Sequence, residues 1–237
     1  MSLSLEHLFL LAGQDNVEEF RRGLVQAAKE GLDINRRIVY KSLLDKAAEN
    51  DCALNIRELI DEGRAGREAR FCLINATNEA GCNALHRSCC AGNESATLEL
   101  LEHSGKRAGF DAIFAQINKI GWIGWTPFHY QACTREIVRA LLSRAEELHG
   151  KEGRYRLVHS LMSTGDSILH MATLSKIEGL MQYCTRDEME FLLLTKNANG
   201  QSILFSNHNP SVIRQLFSIS HARLFHLYHL PPNSSTT

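Results

Sequence analysis

Two short stretches carry the side chains best suited to chemistry. His86, Cys89 and Cys90 fall within one helical turn, and His129 and Cys133 stand four residues apart. Imidazole nitrogen and thiolate sulfur are preferred zinc ligands, and a thiol beside an imidazole can also become a nucleophile. The surrounding pattern supports neither chemistry. The seven cysteines, at 52, 72, 82, 89, 90, 133 and 184, form no C-x-x-C pair and no standard zinc spacing. A nucleophile would need an orienting acid or a strand-to-helix elbow, and none can be named. Phosphate- and dinucleotide-binding glycine patterns do not occur either. An odd cysteine count with only Cys89 and Cys90 adjacent reads as reduced thiols in an intracellular compartment, mostly filling small core positions.

The segments that must position these side chains repeat. Gly124-Trp125-Thr126-Pro127-Phe128-His129 has a physical logic of its own. Gly supplies a positive φ in a tight turn, Thr caps the following helix, and Pro fits the first helical position. Phe128 is expected in the core, and the His129 imidazole can bridge groups at the turn. Gly81-Cys82-Asn83-Ala84-Leu85-His86 and Gly165-Asp166-Ser167-Ile168-Leu169-His170 keep the Gly, a capping residue and the Leu-His pair, and Gly200-Gln201-Ser202-Ile203-Leu204-Phe205 keeps all but the His.

With the Leu as register mark, Leu8, Leu44, Leu85, Phe128, Leu169 and Leu204 recur at intervals of 35 to 43 residues. Each mark opens an expected first helix: in unit two Ser42 to Ala48, with Asp45 replacing His, in unit four Trp125 to Ala132, and in unit five Leu169 to Thr173. A second helix follows, as in Ile137-Val138 and Leu141-Leu142, whose four-residue spacing makes one apolar face. Residues 67–75, 110–118, 155–163 and 187–195 occupy a common place before the next unit and predict a short third helix. Unit six ends its first helix at Asn207-His208-Asn209, and Pro210 opens the next. Residues 221–228 read as a capping helix and 231–237 as a disordered tail.

The pattern resembles the ankyrin repeat, whose core is G-x-T-P-L-H, with Phe128 in place of the usual Leu. The resemblance covers most of the chain, although the units exceed the family's length of about 33 residues. It implies an all-α helical repeat solenoid over 1–230, of about six degenerate units with short finger hairpins and extra short helices between repeats, capped near 210–230. Under it, His86, His129 and His170 take the motif's own His position and tie turns together. Cys89 replaces a small helix residue, and Cys133 follows that position, partly exposed.

Ankyrin-repeat proteins usually bind other proteins on the concave surface of fingers and first helices. The resemblance therefore implies a non-enzymatic module for a partner protein, with no cofactor and no metal. The family's contact positions map onto Glu79, Ala80 and Cys82 in the unit-three finger. In unit four they map onto Trp122, Ile123 and Trp125, with Cys133 and Thr134 behind, and beyond that onto Asp166, Asn199 and Gln201. Trp122, Ile123 and Trp125 flank two glycines at a finger tip. One indole can fold over its neighbour as local core, while an aromatic on a rigid loop is a common interface anchor. The long units and extra helices also resemble ankyrin-repeat effectors that intracellular bacteria deliver into host cells. The alternative left open is a Cys/His metal-binding or hydrolytic enzyme on the same scaffold.

Composition bounds the remaining classes. With 237 residues, 44% hydrophobic and 22% charged, the chain can bury a large core and is not disordered as a whole. A formal net charge of −1, with acidic residues beside most basic groups, argues against a nucleic-acid surface. No apolar run is long enough to span a bilayer, and Glu6 and His7 interrupt an N-terminus that lacks a preceding basic residue, so no secretory signal is expected. The expected location is the cytoplasm, or a host cytosol after secretion.

Overall fold

The computed structural model describes residues 4–34, 41–61, 72–116, 123–206 and 209–218. Helices dominate them: α1 (Leu5–Ala12), α2 (Val17–Glu30), α3 (Leu43–Glu49), α4 (Ala53–Asp61), α5 (Ala84–Ala91), α6 (Glu94–His103), α7 (Gly105–Phe114), a 3-10 turn (Pro127–His129), α8 (Arg135–Val158), α9 (Leu174–Tyr183), α10 (Arg186–Leu194) and α11 (Ile203–Ser206). Residues 72–75 and 210–218 are also helical. Antiparallel bridges join Leu161 with Ser167 and Lys196 with Ser202, each closing a finger, and Lys41 and Trp125 also take bridge positions. This is an all-α repeat solenoid.

One turn chemistry starts the first helix of successive units. Ser42 caps α3, its Oγ accepting from Asp45 N at 3.0 Å while the Asp45 carboxylate accepts from Ser42 N at 2.8 Å. His does the same through Nδ1, which accepts from Asn83 N at 3.3 Å in His86, from Thr126 N at 3.1 Å in His129, and from Ser167 N at 3.2 Å in His170. These are capping boxes, which satisfy helix-start donors that would otherwise be orphaned. An Nδ1 that accepts leaves Nε2 to carry the proton. His86 Nε2 then donates to Trp125 O at 3.3 Å and His170 Nε2 to Gln201 O at 3.3 Å, each in the next unit. His129 Nε2 points toward the Ser160 carbonyl without completing a well-aligned bond. Asp45 fills the capping role as an acceptor, and a carboxylate has no N–H to donate to a carbonyl of the next unit.

The far ends of the first helices are closed by donors from a neighbouring unit. Asn55 Nδ2 reaches Leu11, Ala12 and Gln14 carbonyls at 3.3, 3.2 and 2.8 Å, and Asn93 Nδ2 reaches Ala48 O at 2.9 Å. Asn93 makes no side-chain cap for its own helix; instead the Asp51 carboxylate accepts from Ala96 N at 2.7 Å. Side by side, α2, α4 and α6 are joined by bidentate Arg21–Glu58 and Arg57–Glu99 pairs, and Arg154 clasps Glu188 between α8 and α10. Within this frame one core runs from Leu8 to Leu216, including Phe128 at no exposure.

The third helices appear as α7, α10 and the later part of α8, where His149 and Gly150 leave helical geometry and separate the second helix of unit four from its third. The first helices of units four and five, however, shrink to a 3-10 turn and a pair of turns rather than the helices expected from Trp125 to Ala132 and Leu169 to Thr173. Length is the reason. The caps of the first and second helices are ten residues apart in unit three, Asn83 to Asn93. They are eight apart in unit four, Thr126 to Thr134, and six in unit five, Ser167 to Thr173. Two helical turns and a reversal do not fit in eight residues at 3.6 per turn. The expected caps at 207–208 and 221–228 and the tail at 231–237 lie outside the described residues; Asn209 and Pro210 do open a helix, with Asn209 Oδ1 accepting from Ser211 N at 3.0 Å.

Candidate partner-binding surface

The fingers are built by short side-chain-to-backbone turns. Asn78 Oδ1 accepts from Ala80 N and Cys82 N at 3.0 Å each, and Asn78 N donates to Cys82 O at 2.9 Å. Asn197 repeats the device, with Oδ1 accepting from Asn199 N at 3.1 Å and Gln201 N at 3.0 Å. Asx turns of this kind hold a polar tip in place without a regular hairpin.

The fingers are also bonded to one another. Ser163 N donates to Ile123 O at 3.1 Å and Ala198 N to Thr164 O at 2.8 Å, while Asn197 Nδ2 reaches the Asp166 carboxylate at 3.0 Å. Glycine permits this approach. A Cβ on Gly165, whose φ is 75°, would stand 2.8 Å from Ala198 N, and one on Gly124, at φ 84°, would stand 3.2 Å from Ser163 N. Three consecutive fingers thus present Ile123, Asp166, Asn199 and Gln201 on one hydrogen-bonded row. Ile123 is 45% exposed, Asn199 and Gln201 are exposed, and Asp166 is half-buried.

Other expected contact residues divide. Glu79 is exposed, and Ala80 and Cys82 are half-buried on the unit-three finger. Thr134 is half-buried and caps α8, its Oγ1 accepting from Ile137 N at 3.4 Å. Trp122 lies outside the described residues. Trp125 and Cys133 correct the sequence expectation. Trp125 is only 8% exposed, its ring edge-on to Tyr130 at 5.4 Å between centroids, and Tyr130 in turn meets His86 edge-on at 6.1 Å. Cys133 has no exposure at all. Both side chains support the surface from beneath. The missed residue is Tyr130: the shortened first helix lets its ring turn inward, where its hydroxyl hydrogen-bonds Cys82 and burial pushes the phenol well above its ordinary range.

The imidazoles of the Cys/His sets named by the sequence are taken up by their own turns. Burial holds His86 down to about 4 and His129 down to about 3, each locked in its own capping turn. Burial pushes the Cys82 and Cys90 thiols up. Among the described residues, the donor atoms close enough to share an ion belong to Glu99, Glu102 and His103 on α6, where Arg57 already holds Glu99. Among them, too, no helix is long and apolar enough to cross a membrane.

No family model matches the sequence, and no curated protein does. Solved structures do. The ankyrin repeat domain of Bcl-3, a member of the IkappaB protein family, aligns over 89% of this chain and 97% of its own at 17% identity, with a TM-score of 0.48. A chain in the complex of the predatory endopeptidase Bd0816 from Bdellovibrio bacteriovorus with immunity protein Bd3460 aligns over 89% and 96%, at 17% identity and a TM-score of 0.58. At that identity the similarity is one of fold. The capping-box repeats, cross-unit imidazoles and closed fingers agree with the ankyrin-type helical repeat fold that the sequence motif resembles.

Proposed function

We propose that this ankyrin-repeat solenoid, extending over 1–230, is a non-enzymatic module that binds another protein on its finger and first-helix surface. The observation that carries the reading is the row of fingers four to six. Their backbones are bonded to one another, so a partner meets a preorganised surface and ordering it costs little on binding. Ile123 supplies the apolar centre, and Trp122, its neighbour in sequence, is proposed to add to it. Glu79, Ala80 and Cys82 border it on one side and Asp166, Asn199 and Gln201 on the other. Trp125, Cys133 and Thr134 set its shape from within. The same features support a non-enzymatic reading: the imidazoles a catalyst would use are committed to turns and kept neutral.

Delivery into a host cell as an effector belongs to the same proposal, and rests on the long, degenerate units. The test places a photo-crosslinking residue at Ile123 or Asn199, and at Leu98 on the second-helix α6 as control. Exposure to cell extract should give one adduct from the finger positions and none from Leu98. Adducts from Leu98 alone would move the binding surface elsewhere. A translocation-reporter fusion tests the delivery step separately.

A further inference from the structure

Two thiols from neighbouring units meet in the middle of the core. Cys89 sits on α5 of unit three, and Cys133 sits in the turn that leads from the 3-10 turn into α8 of unit four. Neither has any exposure, and their side chains hydrogen-bond each other. Cys133 Sγ also lies 3.6 Å from the Pro127 carbonyl, and the Thr97 hydroxyl contacts Cys89. A third unit brings a cation to the same place. Lys176 on α9 is fully buried, its Nζ donating to Phe128 O at 2.5 Å and Tyr130 O at 3.0 Å, and it stands 5.4 Å from the Phe128 ring centroid.

The two sulfurs are unequal. The hydrogen bond from Cys89, with the Lys176 ammonium adding to it, holds the Cys133 thiol below its ordinary value in spite of burial. Burial pushes Cys89 well above it. One sulfur is therefore the better anion and the other a protonated neighbour in contact with it, which is the relation of an attacking and a resolving thiol. All seven cysteines are free thiols, and this is the pair whose two members are both fully buried.

We propose that Cys89 and Cys133 form an oxidisable dithiol, which a small hydroperoxide converts into a disulfide joining units three and four beneath the finger surface. The Cys133 thiolate attacks one peroxide oxygen; an S–O bond forms and the O–O bond breaks. The departing oxygen takes up the proton that Cys133 released. Cys89 sulfur then attacks the sulfenic sulfur; the S–S bond forms, the S–O bond breaks, and hydroxide leaves with the Cys89 proton as water. Two thiols lose two electrons, and hydrogen peroxide gains them as two waters. Because both sulfurs are enclosed, a small peroxide should reach them more readily than a bulky disulfide such as oxidised glutathione, which must wait for the units to part.

The experiment uses the full chain carrying Cys72→Ser and Cys90→Ser, which removes the two exposed thiols. Hydrogen peroxide is added at neutral pH, and remaining thiols are alkylated under denaturing conditions and mapped by mass spectrometry. The expected result is loss of two thiols, a mass lower by two hydrogens, and one linked peptide pair joining Cys89 to Cys133, all reversed by dithiothreitol. Oxidised protein should melt at higher temperature, and oxidised glutathione should act at least tenfold more slowly. Cys133→Ala should stop the link without changing the circular dichroism spectrum. Should that variant misfold, parent protein trapped part-way with dimedone decides the matter, by carrying its sulfenic acid on Cys133. A link between other cysteines, or buried thiols that survive peroxide until the protein unfolds, would overturn the proposal.

Discussion

His86 Nε2 lies 3.3 Å from the carbonyl oxygen of Trp125, one unit further along the chain. That contact couples the turn that starts unit three's first helix to the finger of unit four, and the turn itself requires a neutral imidazole, because Nδ1 must accept from Asn83 N. Burial pushes His86 down to about 4 and His129 down to about 3, against an ordinary value of 6.5. An unfolded chain takes up both protons near pH 6.5, while the folded chain refuses them until much lower pH. Stability is therefore fully present above pH 6.5 and is lost as pH falls from 6.5 toward 4. The slope should approach about 1.4 kcal/mol per pH unit for each imidazole. Denaturant unfolding between pH 7.5 and 5.5, above the range of most carboxylates, measures it. His86→Gln should reduce the slope by about half, and an unchanged slope would sink the assignment.

Lys176 closes the shortened first helix of unit four. Replacing it with Met keeps the aliphatic stem but removes the donor to Phe128 O and leaves Tyr130 O with the longer 3.4 Å bond from Cys133 N. An orphaned buried acceptor costs about 1–3 kcal/mol. Lys176→Met should therefore lower stability by about 2 kcal/mol or more, even though it removes a buried charge. A more stable variant would mean that desolvation of the ammonium outweighs its two hydrogen bonds.

Gly165 and Gly200 share a positive φ, 75° and 71°, but differ in surroundings. A Cβ at Gly165 would press on Ala198 N at 2.8 Å, while one at Gly200 would meet nothing within 4 Å. Both Ala substitutions pay the left-handed penalty of about 1–2 kcal/mol. Only Gly165→Ala should also break the Ala198–Thr164 bond between fingers five and six. Its melting temperature should fall further, and amide exchange at Ala198 should accelerate in that variant alone.

Trp125 and Ile123 should behave oppositely. Trp125→Ala removes a ring packed on Tyr130 and should cost about 3–5 kcal/mol of stability, as large core deletions do. Ile123→Asp changes a side chain 45% in solvent and should leave the melting temperature within about 1 °C. If the finger row binds the partner, Ile123→Asp abolishes the crosslinked adduct while the fold stays intact. Loss of folding in Ile123→Asp would place that side chain in the core instead.

The repeat frame was legible in the residues themselves, because each unit opens with local chemistry. Gly, a capping residue and His or Asp three positions later act on backbone groups within one turn, so Asn83–His86, Thr126–His129 and Ser167–His170 could be read without knowing what lies beside them. Third helices were legible from their apolar spacing for the same reason. The length between caps in units four and five was also present in the chain, and sets the collapse of their first helices. What packing alone decided is which side chains face out. The ankyrin resemblance places Trp125 and Cys133 among the contact positions, yet both are buried. With the helix cut short, Tyr130 swings in against Trp125, and Lys176, 43 residues beyond Cys133, arrives to fill the vacated end. Such contacts join residues far apart in sequence through volumes that only the stacked units define, and no local pattern encodes them.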